Sequence, residues 1–143
     1  MASPLALPSP HCHPPPMLRL SLLLPLLLGY CTDETLTGYG AQGQDFVLVS
    51  INDQPFPARA TIRFPEEGQI AGQAPCNSFS ATQAEPYPWF KAGPIAATKR
   101  ACPELDAEAL FFQTLSEMTL SEVSGPNLIL STSEGQTMVF LAE

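Results

Sequence analysis

Positively charged residues are scarce in this sequence. Six Lys and Arg residues stand against 14 Asp and Glu residues, which gives a formal net charge of −8. Charged residues make up only 14% of the chain, whereas about 25% is usual in globular proteins. Because a strongly acidic chain repels polyanions, we expect no nucleic-acid partner.

The sequence also lacks an apolar run of the roughly 20 residues that a membrane span requires. Its leucine-rich stretch, residues 20–28, is interrupted by Pro25 and follows a single positive residue, Arg19. This plan is typical of a secretory signal peptide, so we assign one to residues 17–31, with translation starting at Met17. Two alternatives stay open at its end: Cys31 carries a lipid, as in a bacterial lipoprotein, or cleavage follows Cys31 and removes it.

Histidine is nearly absent. His11 and His13 both lie in the Pro-rich segment 1–16, which has no periodicity and which we place upstream of the true start. The mature protein would then contain no histidine for a nucleophile pair, a general base or a metal site. We therefore predict no catalytic residues, no metal ligands and no cofactor.

The length of 143 residues leaves room for one domain. Residues 32–44 are polar and rich in glycine, which predicts a flexible tether, and the domain is expected at 45–143. Within it, short apolar or alternating segments such as 46–51 and 78–82 are separated by Pro, Gly and Asn turns. This pattern predicts about seven or eight short antiparallel strands.

One helix is predicted after Cys102. Pro103 stands at its start, and Glu104, Asp106 and Glu108 fall in its first turn, where the helix dipole favours negative charge. An apolar stripe at three- and four-residue spacing predicts the face that packs on the sheet; its members are Leu105, Ala109, Phe111, Phe112, Leu115 and Met118. Strands followed by one such helix indicate a small α+β domain.

Two elements of the domain carry a family resemblance. They read Gly72-Gln-Ala-Pro-Cys76-Asn77-Ser-Phe79 and Gly93-Pro94-Ile-Ala-Ala-Thr98-Lys99-Arg100-Ala101-Cys102-Pro103. In residues, order and spacing they resemble the META domain of the HslJ heat-shock protein family, over essentially residues 45–143. The resemblance implies an antiparallel sheet curved around a helix, and frequent export or lipid anchoring. It also implies links to stress tolerance, drug resistance or virulence, and it provides no catalytic residues.

Each of the two elements contains one cysteine, Cys76 or Cys102. In an exported chain an even pair is expected to form a disulfide, which would stabilise the domain by about 3–4 kcal/mol. Two alternatives stay open: a pair of buried free thiols, or a reactive Cys102 at the helix N-terminus. The three acids of the first helical turn oppose the reactive thiol.

Other polar residues of the second element have less specific roles. Lys99 and Arg100 form the only adjacent basic pair, which either binds an anion or acidic partner or pairs with acids of neighbouring strands. Asn77 and Thr98 are expected to hydrogen-bond loop backbones.

These observations predict an exported META/HslJ-like domain that serves as a non-enzymatic stress-response or binding module of the cell envelope. Its partner would be an envelope protein or ligand that the sequence does not identify. One alternative is a small envelope-acting hydrolase that uses carboxylates, and another is a structural subunit of an envelope complex. A lipid on Cys31 would hold the protein at a membrane, whereas cleavage would release it into the periplasm.

Overall fold

The computed structural model describes residues 32–143. The Pro-rich segment 1–16, the predicted signal peptide 17–31 and the lipidation candidate Cys31 lie outside the described residues, so their assignments stay predictions. The part from Asp33 to Glu143 forms one compact unit.

Within the described residues, nine antiparallel strands form a single sheet. They are β1 (Asp45–Ile51), β2 (Gln54–Pro55), β3 (Thr61–Arg63), β4 (Gln69–Gln73), β5 (Ser78–Thr82), β6 (Ala96–Ala97), β7 (Leu120–Ser124), β8 (Asn127–Ser131) and β9 (Thr137–Ala142). The strand order is β6-β5-β4-β3-β1-β9-β8-β7, and β2 pairs with β1. The predicted α+β class is confirmed. The count exceeds seven or eight, and β2 among these strands is only two residues long, too short to show alternation.

Side chains alternate across the sheet, so that one face is buried and the other meets solvent. The inner face contributes large side chains to the hydrophobic core: Phe46, Leu48, Ile62, Phe79, Leu128, Leu130, Met138 and Phe140. The outer face of β3, β4 and β5 carries Thr61, Arg63, Gln73 and Ser78, which are exposed or half-buried. The outer face is therefore the polar side of this sheet.

The predicted helix is present as α1 (Leu105–Glu117). Phe111 and Leu115 are fully buried, and Phe111 and Phe112 meet the Phe79 ring of β5 at centroid distances of 5.5 and 5.4 Å. The predicted stripe is wrong at its first positions, because Leu105 is 45% exposed and Ala109 is also exposed. The helix is rotated so that Glu108 and Thr114, rather than those two residues, share the buried face with Phe111 and Leu115.

The predicted tether at 32–44 is wrong for most of its length. Leu36 is only 1% exposed, and Leu36 and Ala41 both belong to the hydrophobic core. Leu36 is followed by a π-helical turn, Thr37–Ala41, and the chain then enters β1 at Asp45. The folded domain therefore begins near Asp33. Composition was misleading here because one leucine and one alanine are enough to anchor a segment that is otherwise polar.

Hydrogen bonds around Asp33 fix the start of this segment. Its carboxylate accepts from the Thr35 backbone N at 2.8 Å, the Thr35 hydroxyl at 2.6 Å and the Thr37 hydroxyl. Burial by itself would raise the pKa of Asp33, but these hydrogen bonds to the ionised form outweigh it and hold the pKa below its ordinary value. The ionised form of Asp33 is thus the one that the fold stabilises.

The segment between β5 and β6 runs along the edge of β7. Residues 89–91 form no strand, and the segment makes one isolated bridge to β7, between Trp89 and Leu120. Beside this bridge, Ser121 N donates to the Pro88 carbonyl at 2.7 Å and Phe90 N to the Thr119 carbonyl at 2.9 Å. The segment therefore covers backbone groups that an edge strand would leave unpaired.

Across residues 32–143, none of the helices has the length and apolar character needed to cross a membrane.

Candidate functional site

The two sequence elements that define the family resemblance meet at one end of α1. Cys76 and Asn77 lie in the turn between β4 and β5, and both are buried. Thr98 and Arg100 follow β6, and Cys102 precedes the helix. Glu108 comes from the first turn of α1 and is only 6% exposed. We call these six residues the buried cluster, although Thr98 and Arg100 are exposed at its rim.

The carboxylate of Glu108 is the centre of the buried cluster. Its Oε2 accepts from the backbone N of Cys76 and from that of Asn77, each at 2.8 Å. Its Oε1 accepts from Asn77 Nδ2 at 2.6 Å. Hydrogen bonds to a carboxylate are among the stronger ones in proteins. Glu108 therefore links α1 to the β4–β5 turn through three hydrogen bonds.

The side chain of Asn77 continues the network to the other element. Its Oδ1 accepts from the backbone N of Arg100 at 2.6 Å and from the Thr98 hydroxyl at 2.9 Å. Its Nδ2 donates to the Arg100 carbonyl at 3.1 Å as well as to Glu108. All four hydrogen-bonding positions of the amide are thus in use. The predicted role of Asn77 in holding a loop backbone is confirmed, whereas the same prediction is wrong for Thr98, whose hydroxyl donates to the Asn77 side chain.

A disulfide joins Cys76 to Cys102, whose Cα atoms are 5.7 Å apart. It ties the β4–β5 turn to the chain just before α1, at the same joint that Glu108 holds. Glu104 also lies near the two sulfur atoms. Because sulfur atoms in a disulfide are not thiolates, this group provides no metal-ligand set while the bond is intact.

Sequence reasoning missed the role of Glu108. It assigned Glu104, Asp106 and Glu108 together to the helix dipole, yet the first two are exposed and only the third is buried. A signal was present in the spacing: Glu108 stands three residues before Phe111 and seven before Leu115, so it occupies a position of the buried stripe. An acid at such a position requires donors, and the β4–β5 turn supplies them.

The remaining residues of the family elements have packing roles. A Cβ atom at Gly72 would overlap the Thr61 carbonyl oxygen and the Phe79 ring, so the close approach of β3 to β4 requires glycine there. At Gly93 a Cβ atom would overlap the Thr82 hydroxyl. Pro94 and Pro103 are exposed. Pro103 lies two residues before the first residue of α1 rather than inside it.

A groove crosses the outer face of the sheet beside the buried cluster. Two adjoining clefts of about 300 and about 340 Å³ share Gln73 and Ser78 as lining residues. Arg63 lies at one end and Arg100 at the other. Residues paired across neighbouring strands share a face, so Thr61, Gln73 and Ser78 form one row across β3, β4 and β5. We call the space bounded by Thr61, Arg63, Gln73, Ser78, Thr98 and Arg100 the outer groove.

The two residues of the basic pair, Lys99 and Arg100, differ in position, because only Arg100 lines the outer groove. Arg100 lines the outer groove, and its Nη2 donates to the Cys76 carbonyl at 3.2 Å. Neither Lys99 nor Arg100 forms an ion pair with an acid among the described residues. The interpretation that they pair with acids of neighbouring strands is therefore wrong for this part of the chain.

Comparison with known proteins agrees with this architecture. The family model of the META domain matches residues 36–143, and its first residue, Leu36, is also the first large side chain of the core. The META domain is not a known enzyme family. No curated protein matches the chain.

Three solved structures are similar to the chain. An NMR structure of a protein from Burkholderia xenovorans has a TM-score of 0.58 at 16% identity, covering 90% of this chain and 98% of its own. A second NMR structure has a TM-score of 0.52 at 26% identity, covering 68% and 88%. A crystal structure of a DUF4847 family protein from Bacteroides vulgatus has a TM-score of 0.56 at 15% identity, covering 75% and 96%. The first and third show the fold alone. Since the family model spans most of the sequence and both of its characteristic elements, this chain belongs to the META domain family.

Proposed function

We propose that this META domain is an exported, non-enzymatic binding or stress-response module of the cell envelope. The observation that carries the proposal is the disulfide between Cys76 and Cys102. Disulfides persist in oxidising compartments and are rare in the cytosol. A disulfide between the β4–β5 turn and the chain just before α1 therefore suits a protein that works outside the cytosol.

The sequence before the domain supports export as well. The leucine-rich stretch 20–28 and Cys31 lie outside the described residues, but the folded unit begins at Asp33, two residues after Cys31. If Cys31 carries a lipid, the domain is held directly at the membrane surface, because no long tether separates the two. If cleavage follows Cys31, the released chain starts at Thr32 and is folded almost from its first residue.

A binding role suits the polar surface better than a catalytic role does. The most enclosed carboxylate, Glu108, has both oxygens occupied by donors from Cys76 and Asn77. Because it is buried and already accepts three hydrogen bonds, it is poorly placed to protonate or attack a substrate. By contrast, the outer groove is open and bounded by donors and hydroxyls. The carboxylates of Asp45 and Glu143 line the first of its two clefts, where Arg59 binds Glu143. The buried carboxylate of Glu108 therefore gives no support to a carboxylate-dependent hydrolase.

Cell fractionation combined with mass mapping of the mature N-terminus tests the proposal. Export predicts an envelope fraction that contains either a diacylated Cys31 or an unmodified start at Thr32. A matched variant, Leu24→Arg, breaks the apolar stretch and should keep the chain in the cytosol. An intact cytosolic 1–143 chain in the unchanged protein would overturn export.

The same envelope fraction separates a free-standing module from a structural subunit of an envelope complex. Crosslinking in whole cells, followed by a pull-down under conditions that preserve complexes, would recover a subunit with one neighbour at a fixed ratio. A free-standing module would be recovered mainly alone. A stoichiometric neighbour would favour the structural alternative over the binding module.

A further inference from the structure

Arginines are concentrated at and beside the outer groove, where Asp45 and Glu143 also line the first cleft. Residues 32–143 contain five basic residues and 14 acids, and three of the five, Arg59, Arg63 and Arg100, line the two clefts that form or adjoin the groove. An acidic chain that gathers its few arginines on one face has a surface suited to an anionic ligand.

Two of these arginines are available to a ligand. Arg59 is bound by Glu143, with 2.6 Å between its Nη2 and the carboxylate Oε2, and this hydrogen bond raises the pKa of Arg59. Arg63 pairs with Asp45 in strand register, yet the two form no ion pair, and Arg63 has no acidic partner among the described residues. Arg100 uses one N–H on the Cys76 carbonyl, and a guanidinium has five.

The spacing of Arg63 and Arg100 calls for an extended ligand. Arg63 is on β3, whereas Arg100 follows β6, three strand positions away in the order β3-β4-β5-β6. With about 4.8 Å between neighbouring strands, the two backbones are roughly 14 Å apart. Between them the groove offers an amide and hydroxyls, from Gln73, Ser78 and Thr98.

The composition of the groove favours a carbohydrate over a peptide. The two clefts are lined by polar and charged side chains, the acids Asp45 and Glu143 among them, and by Gly72, with no large apolar side chain. Peptides, by contrast, bind through buried apolar anchors or along a free strand edge. The groove crosses the strands, so a peptide lying in it would find no row of backbone partners. Hydroxyl and amide side chains match sugar hydroxyls, and arginine matches carboxylates with two parallel hydrogen bonds.

We propose that the outer groove binds an acidic oligosaccharide, with carboxylates of separate sugar units on Arg63 and Arg100 and the intervening hydroxyls on Gln73, Ser78 and Thr98. This names a ligand class for the proposed binding module and rests on that proposal.

Isothermal titration of the purified protein, as the cell processes it, with tetragalacturonate tests the inference. Maltotetraose provides a neutral chain of equal length, and tetraglutamate an acidic peptide of the same charge. We expect binding of tetragalacturonate alone, weakened as salt rises. Equal binding of maltotetraose, preference for tetraglutamate, or no binding of tetragalacturonate would overturn the inference.

Variants locate the site. Arg63→Gln and Arg100→Gln should each weaken tetragalacturonate binding about tenfold, as expected for one lost charge-assisted pair. Lys91→Gln is the matched control, because it removes the same charge at an exposed residue outside the groove. Arg100 is also a member of the buried cluster, and its side chain donates to the Cys76 carbonyl. Arg63→Gln, which breaks no observed hydrogen bond, is therefore decisive if Arg100→Gln unfolds. An equal loss in Lys91→Gln would indicate general charge attraction and refute the site. Since titration does not depend on location, failure here is distinguishable from failure of export.

Discussion

The substitution Glu108→Gln tests whether the buried cluster holds α1 to the sheet. It keeps the size of the side chain but replaces one acceptor oxygen by an NH2 group. Whichever way the new amide is turned, its nitrogen faces a donor: Asn77 Nδ2 on one side, or the backbone N of Cys76 and Asn77 on the other. Asn77 cannot turn its own amide, because its Oδ1 already accepts from Thr98 and Arg100.

The expected loss of stability is that of the less costly of the two amide orientations. A hydrogen bond to a charged group contributes about 1.5–3 kcal/mol, and a buried donor left without an acceptor costs about 1–3 kcal/mol. The two figures overlap because they describe the same broken contact. We therefore expect Glu108→Gln to lower the free energy of unfolding by about 1.5–3 kcal/mol. Domains typically have about 5–15 kcal/mol, so the variant should still fold at low temperature.

Urea unfolding of Glu108→Gln beside Asp106→Asn gives the decisive comparison. Asp106 is an exposed acid of the first helical turn, so its loss should cost only the dipole interaction, about 0.3–1 kcal/mol. The slope of the free energy against urea should stay the same in both variants, so that the midpoints report stability directly. If both variants lose the same amount, the helix dipole explains Glu108 and the reasoning from the buried cluster is refuted.

Three further predictions concern other parts of the domain. The double variant Cys76→Ala/Cys102→Ala should lose about 2–5 kcal/mol of stability, and mass spectrometry of folded protein alkylated without reductant should find neither cysteine labelled; labelling of both would favour buried free thiols. Leu36→Ala should lower the free energy of unfolding in urea by about 2–5 kcal/mol. An unchanged midpoint would instead support the prediction of a flexible tether at residues 32–44. The depressed pKa of Asp33 contributes stability that is present above the unfolded value of about 3.9 and is lost as pH falls through the folded value. The melting-temperature gap between the protein and Asp33→Asn should therefore be present at pH 7 and shrink below about pH 4; a constant gap would contradict this assignment.

The fold was predictable where local pattern and tertiary structure agree. The prediction of a strand at 78–82 coincides with β5, Ser78–Thr82, because its side chains alternate between the core and solvent. The existence of α1 was predictable from its apolar spacing. The two-residue strand β2 was not, since its hydrogen bonds depend on the neighbouring strand rather than on its own side chains.

The candidate site was predictable only in part. Cys76, Asn77, Thr98 and Cys102 were recognisable from the family elements, and the structure brings them together. Glu108 was not recognised, because three acids near a helix start already have a sufficient local explanation in the dipole. Only the rotation of α1 against the sheet distinguishes the buried acid from the exposed ones, and that rotation is a property of the assembled core.

The buried cluster and the outer groove are parts of one arrangement. Asn77 is followed directly by Ser78, which lines the groove. The side-chain amide of Asn77 binds both the backbone N and the carbonyl of Arg100. The disulfide and Glu108 hold the β4–β5 turn that carries Asn77. Because Asn77 in turn binds the backbone of Arg100, these contacts fix the position of Arg100 relative to β5. The residues that characterise the family in this chain therefore need no catalytic role to explain them. They build a rigid support for a polar surface, and residues on that surface can differ among proteins with the same support without disturbing the core beneath it.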